Sequence, residues 1–563
     1  MVKRQHVAPC ACLLALVACD SDDREETGPL RHPAEIVSQN GELRTTFTVS
    51  DATVDVAGRS LRTLAYNEVF MPPLLRVRPG DTIYLNLNNQ TGEPTNEHYH
   101  GLNVSPRVNP DATVSDNVLI QAEPGMQVNY RISVPPWHNP GLYWYHAHLH
   151  GQAERQVMGG LSGGLIVEGV LDPFPQLAGI QEQVLLLKDV QITSQGVLPD
   201  DIDPGAETNR TINGQTMPII EIRQQELQFW RFANIGADMY YHLVLDGHTF
   251  YELARDGNRH NQLVELQEIQ LPPGARSEVF VRGGATGQYR LHTLDVNTGP
   301  DGDDYAAADL AAVDVTPASG QPELPLPQGL PSVEDFRTLA VAHRRTITFT
   351  EDTTNNTFFV DSGAGPVQFD ANRVDSTIPA GTVEEWTVNN ATAELHVFHI
   401  HQTDFQVIEI NGEPQDFVGH QDSINVPYQE PGGPPGSVKL LMDFRNPDIV
   451  GKFVYHCHIL EHEDGGMMAI AEVVSPTSLE LANPINRAMA RLDLQAANSE
   501  PFDSNLLTNT LTAFQAGALC KTQSPRRRLA TPRATASTSF RVERISQRAP
   551  LSAKKDTEAP MLR

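Results

Sequence analysis

Between Asp20 and His456 the chain has no cysteine, and Cys457 is followed only by Cys520. A disulfide framework within the body is therefore excluded, and a lone thiol flanked by histidines needs another explanation. Long apolar runs are scarce as well: Val7 to Ala18 is too short to span a bilayer as a mature helix. There is no excess of positive charge. The net charge of −29 argues against nucleic acid as a partner and describes a well-solvated acidic surface.

What is present at the start reads as an export signal. Lys3 and Arg4 precede the apolar run, which ends Leu16-Val17-Ala18-Cys19 and is followed at once by acidic residues. The last four residues resemble a lipobox, implying a lipoprotein-type signal over residues 1–19 that leaves Cys19 lipidated, then a flexible tether over 20–40. The competing reading is an ordinary signal peptide in which Cys19 is incidental. At the other end, residues 521–563 hold eleven Lys/Arg against three Asp/Glu, with no sustained periodicity. Residues 476–563 read as a disordered basic tail, to which no function is assigned.

With 563 residues, the chain exceeds one core, and length sets an expectation of about three to four domains. Short alternating runs broken by turn residues fill residues 41–170, 171–318 and 333–475, which predicts an all-β chain of consecutive β-sandwiches. Residues 319–332 are Pro-rich and read as a linker. The pieces LLRVRPGDTIYLNLNN, IIEIRQQELQFWRFAN and STIPAGTVEEWTVNN look like one unit used three times. Each pairs a short apolar strand and a turn with a second strand ending in Asn.

Four of the histidine clusters carry the chemistry: His98-Tyr99-His100, His146-Ala147-His148, His396-Val397-Phe398-His399-Ile400-His401, and His456-Cys457-His458 with His462 and Met467 beyond. Residues i and i+2 of a strand share a face, so each H-x-H pair presents two imidazoles in one direction. Four pairs offer more ligands than one metal needs, which implies a metal cluster. By the same alternation Cys457 points away from His456 and His458, and His396 lies opposite His399 and His401. A thiolate with two His and a weak axial Met is a blue-copper ligand set, here His396, Cys457, His462 and Met467.

The spacing H-C-H-x₃-H-x₄-M, preceded by the other three pairs in this order, resembles the multicopper oxidases over about residues 40 to 475. The resemblance implies three consecutive cupredoxin-like Greek-key sandwiches and four coppers per chain. It implies a type 1 copper on His396, Cys457, His462 and Met467, and a type 2 copper on His98 and His399. The type 3 pair falls to His100, His146, His148, His401, His456 and His458, so the trinuclear cluster is expected between the first and third domains. A laccase-like activity follows: a reductant delivers electrons singly near the His462 edge, and dioxygen takes four to become water. Glu463 matches a proton-donating carboxylate of bacterial relatives, and Asp116 is expected beside the type 2 copper, with Asp111 as its rival.

Other readings compete at particular residues. His150 forms a second H-x-H pair with His148, but His146 and His148 follow GLYWY, where the family places its ligands. Met468 reads as packing, and His138, His242, His248, His260, His292, His343 and His420 as hydrogen-bonding groups in turns or at the surface. A copper nitrite reductase would lack the four pairs, and a non-catalytic relative would have lost ligands that are all present here. Eleven scattered methionines supply no Met-rich insert for Cu(I), so phenols or aromatic amines are the expected reductants, with metal ions (Cu, Mn, Fe) as the alternative. An axial Met predicts a lower-potential type 1 copper and easily oxidised substrates. The expected location is periplasmic or cell-envelope, with membrane contact only through lipid at Cys19.

Overall fold

The computed structural model describes residues 28–475 except 57, 200–205, 207, 319 and 321–322. The segments read as a signal, as the acidic start of a tether and as a basic tail, and every cysteine but Cys457, lie outside the described residues. Among these residues the chain forms three sandwiches. The first sets the sheet of 42–56, 59–66, 82–89 and 127–133 over one containing 35–37, 74–77, 98–100, 141–146 and 162–167. The second pairs a six-stranded with a five-stranded sheet between Gln181 and Thr316, and the third does the same between Val341 and Val474. The two longest helices, Ala153–Gly159 and Leu460–Asp464, are seven and five residues long.

Strand Glu35–Val37 lies inside the segment read as tether. It pairs in parallel with Leu74–Val77, and Glu35 meets Arg76 at 2.9 Å. Three residues of mixed polarity carry too little periodicity to announce a strand, which here depends on its neighbour.

The threefold unit has a physical basis. In each sandwich its short and long strands (74–77 and 82–89, 219–223 and 227–234, 376–379 and 383–390) belong to opposite sheets. The turns between them place Gly80, Gln225 and Gly381 at φ of 95°, 66° and 85°, a region glycine enters without steric cost. The terminal Asn of each unit is fully buried and bonds the chain beyond it. Asn89 Nδ2 donates to the carbonyls of Glu93 and Ala122, and Asn390 Nδ2 to those of Glu394 and Val426, at 2.7–3.2 Å. Asn234 does the same to Met239 and Leu271. These amides satisfy buried backbone groups where the chain crosses between sheets. In the outer two sandwiches they fix the loops that lead into His98 and His396.

Alternation along the strands then sets the core. Thr82–Asn89 buries Ile83, Leu85, Leu87 and Asn89 with half-exposed residues between them, the pattern of a strand with one wet face. The histidine strands 98–100, 141–146, 396–400 and 451–457 are buried on both faces, because they lie where sandwiches meet.

Candidate metal centre

Pairing registers bring the motifs together. Strand 98–100 runs antiparallel to 141–146 with His98 opposite His146, and 396–400 runs antiparallel to 451–457 with His399 opposite His456 and Phe398 opposite Cys457. His148 lies beyond its strand, held by Asn96, whose side chain accepts the His148 N–H at 2.7 Å and donates to its carbonyl at 3.2 Å. The chain turns at Gly101, with φ of 86°.

Eight imidazoles, all buried, line one chamber between the first and third sandwiches. His148, His401 and His456 meet through their Nε2 atoms at 3.1–3.2 Å. His100, His146 and His458 form a second triad, with His100 Nδ1 3.1 Å from His458 Nε2. His98 and His399 group with His100. The buried Nε2 atoms of His98, His146 and His399 have no hydrogen-bond partner. Orphaned imidazole nitrogens aimed into a shared space suit copper, whose ligation supplies the missing partner.

Carboxylates stand behind these rings. Asp116 Oδ1 is 3.0 Å from His98 Nδ1 and accepts the Tyr99 N–H, while Gln402 donates to Oδ2 at 2.7 Å. Its rival Asp111 is exposed and bonds Thr113. Glu463 is fully buried, 3.3 Å from His148 Nδ1 and 3.0 Å from His456 Nδ1. Asp422, which no sequence pattern marks, brings Oδ1 to 3.4 Å from His100 Nε2, and its main-chain oxygen lies 2.8 Å from His399 Nδ1. Such partners fix ring orientation and raise ligand basicity.

Burial, reinforced by neighbouring imidazoles, pushes His100, His146, His148, His401 and His458 well below the ordinary histidine range. Burial lowers His399 to about 4 against the opposing pull of Asp422. These six rings are therefore neutral, the form in which imidazole binds a metal.

The second site occupies the other face of the same strands. His396 Nδ1 and His462 Nδ1 lie 3.0 Å apart, each 3.6 Å from Cys457 Sγ. Thr392 pins His396 Nε2 at 2.9 Å, and the Val397 N–H points at Sγ from 3.4 Å. Met467 is buried, its carbonyl accepting the Cys457 N–H and its N–H donating to the His462 carbonyl. On the far side of His462, Glu394 Oε1 lies 2.9 Å from Nε2, and Phe358 stacks on the ring at 4.3 Å. Burial alone would depress His462, but Glu394 and then Cys457 outweigh it and raise its pKa.

Glu394 and Asp422 escaped the sequence reading. The first lies two residues before a predicted ligand, in a loop whose course depends on Asn390. His150 packs on Phe369 and joins none of the metal groups among the described residues. Met468 pairs with His456 in the strand ladder. His248 and His260 bond Asp246 and Glu252, and His138 accepts the Asn103 N–H from a buried position.

A fold of three sandwiches with a thiolate site beside an eight-imidazole chamber defines a copper oxidase. Multicopper oxidase family models match residues 48–170, 183–311 and 338–476, and the chain belongs to that family. It is a copper oxidoreductase that uses oxygen.

The multicopper oxidase mco of Staphylococcus haemolyticus is 26% identical over 73% of this chain and 84% of its own. The laccase of Bacillus subtilis is 26% identical over 60% and 71%. The cell division protein FtsP of Photorhabdus laumondii is 26% identical over 71% and 82%. Among solved structures, a multicopper oxidase of Campylobacter jejuni described as a metallo-oxidase superposes with a TM-score of 0.66 at 25% identity, covering 79% of this chain and 95% of that one.

Proposed function

We propose a laccase-like activity: one-electron oxidation of phenols or aromatic amines, with four electrons passed to dioxygen to form two waters. Its ligand set is the one that the motifs imply. The type 1 copper takes His396, Cys457, His462 and Met467, the type 2 copper His98 and His399, and the type 3 pair the remaining six histidines. Bound copper supplies the one-electron acceptor at the first site and the oxygen chemistry at the second.

The chain's own groups do the rest. Cys457 lies between His456 and His458 in sequence, so a path of bonds joins the two sites. Glu463 and Asp116 stand against imidazoles of the chamber and serve as proton-holding groups for the water being formed. The observation that carries the phenol reading is the Glu394 carboxylate at His462 Nε2. A phenol or aromatic amine loses a proton as it loses an electron, and a carboxylate at the electron-accepting edge can take it. The signal-like segment ending at Cys19 supports export to the periplasm or cell envelope with a lipid anchor.

A metal-ion reductant is the second reading. One observation favours it: the carboxylates of Glu351 and Glu394 lie within 4.8 Å of one another beside the type 1 site. Hard carboxylates suit Fe(II) or Mn(II) better than Cu(I). Oxygen uptake by the copper-loaded protein, driven separately by a phenol, Cu(I), Fe(II) and Mn(II), decides between them. Uptake with phenol establishes the laccase reading, and uptake only with a metal ion replaces it with the second.

A further inference from the structure

The middle sandwich supplies none of the twelve metal-ligand candidates, yet one of its arginines reaches the chamber. Arg276 opens strand Arg276–Arg282 and is fully buried. Its guanidinium donates to Asp422 through two bonds, Nη1 to Oδ1 at 2.7 Å and Nη2 to Oδ2 at 2.6 Å. Nε donates to the Leu142 carbonyl in the first sandwich at 3.3 Å, and Nη1 also donates to the Gly274 carbonyl at 3.1 Å. The Arg276 N–H donates to Asp256 Oδ1, whose other oxygen faces the backbone N–H groups of Asp422 and Ser423 at 3.4 Å. All three sandwiches meet at this one side chain.

Asp422 stands at the back of two chamber rings from different sandwiches, His100 of the first and His399 of the third. Its Oδ1 is 3.4 Å from His100 Nε2 and 3.6 Å from His399 Nδ1, and it also accepts the Ser423 hydroxyl at 2.9 Å. A Cβ at Gly101, the residue after His100, would collide with Arg276 and Asp422. A Cβ at Gly274 would sit 2.9 Å from the His458 ring. The middle sandwich thus closes on the chamber with no space left for a side chain at either glycine.

We infer that Arg276 is a positioning residue for the copper cluster, acting through Asp422 to orient His100 and His399 and so tying the middle sandwich to the type 2 site. Two parallel bonds between planar groups fix the carboxylate in direction as well as distance. Lysine keeps the charge but cannot reproduce that fork. An ion pair that merely glued sandwiches together would have no reason to present its anion to two ligand rings. The inference rests on the ligand assignment proposed above.

The test uses the full-length copper-loaded protein and its Arg276→Lys, Asp422→Asn and His399→Ala variants. Copper content, the visible type 1 band and the type 2 electron paramagnetic resonance signal are read in each. The type 1 band reports folding within the same molecule, because its ligands all lie in the third sandwich. Arg276→Lys and Asp422→Asn should keep that band, shift the type 2 signal and weaken retention of type 2 copper against a chelator about 10- to 100-fold. An unchanged type 2 signal and retention in Arg276→Lys, with the signal lost in His399→Ala, overturns the inference alone. Equal loss of type 1 and type 2 copper in both ion-pair variants also overturns it, since the pair is then only structural. An unchanged type 2 signal in His399→Ala overturns instead the ligand assignment beneath it.

Discussion

Glu394 Oε1 lies 2.9 Å from His462 Nε2, on the side of the ring away from Cys457. A negative charge there stabilises the more positive, oxidised state of a metal held on the opposite nitrogen. Glu394→Gln should therefore raise the type 1 reduction potential by roughly 60 mV, a tenfold change in a one-electron equilibrium. A redox titration of the visible band checks this, and an unshifted midpoint would show that the charge is fully screened.

Cys457→Ser should abolish the intense visible band and the oxidase activity together. Cys457 is the sole cysteine among the described residues, its Sγ 3.6 Å from both the His396 and His462 nitrogens, and a hydroxyl is a poor replacement for a thiolate ligand. Retention of the band would refute the type 1 assignment.

Glu463→Gln preserves shape near His148 and His456 but removes the acid. Reoxidation by dioxygen should slow about 100-fold or more, the usual scale for losing a positioned proton donor. Anaerobic reduction of the type 1 site should keep its rate. Stopped-flow measurement of the two half-reactions separates these effects, and equal reoxidation rates would remove Glu463 from proton delivery.

Stability has an alkaline limb. Burial, with Asp238, Glu461 and Asp464 alongside, pushes the Glu154 carboxyl up to about 10, and burial with nearby Asp189 brings Asp238 to about 8. The folded chain holds a proton at Glu154 that the unfolded chain releases above its ordinary value of 4.5. This contribution is complete below that value and is lost as pH rises toward 10. Glu154→Gln should therefore raise the apparent melting temperature near pH ~9 relative to the parent, with little or no gain near pH ~4. Calorimetry at the two pH values tests it, and an equal shift at both would mean that proton release is not the cause.

Much of the site could be read from spacing. Parity along a strand already put Cys457 and His396 opposite their neighbours, and the backbone geometry obeys it. The three Asn-terminated pieces announced three sandwiches, because each Asn must satisfy the same buried carbonyls at the same crossing between sheets. Strand 35–37 was hidden, since its pairing partner lies almost forty residues away. Resemblance favours Asp116 over Asp111, and no periodicity marks either; Asp116 is buried against His98 whereas Asp111 is exposed.

The sequence by itself determined the ligands on offer, because a strand's two-residue period fixes side-chain direction locally. It also determined the fold class, through alternation and turn residues. Tertiary structure alone decided which further groups, beyond Asp116 and Glu463, stand behind those ligands. Asp422, Glu394 and Arg276 come from loops and strands far along the chain from the rings or anions they touch, or from loops whose course no periodicity encodes. A partner of that kind is chosen by how three sandwiches pack, and packing is a property of the whole chain.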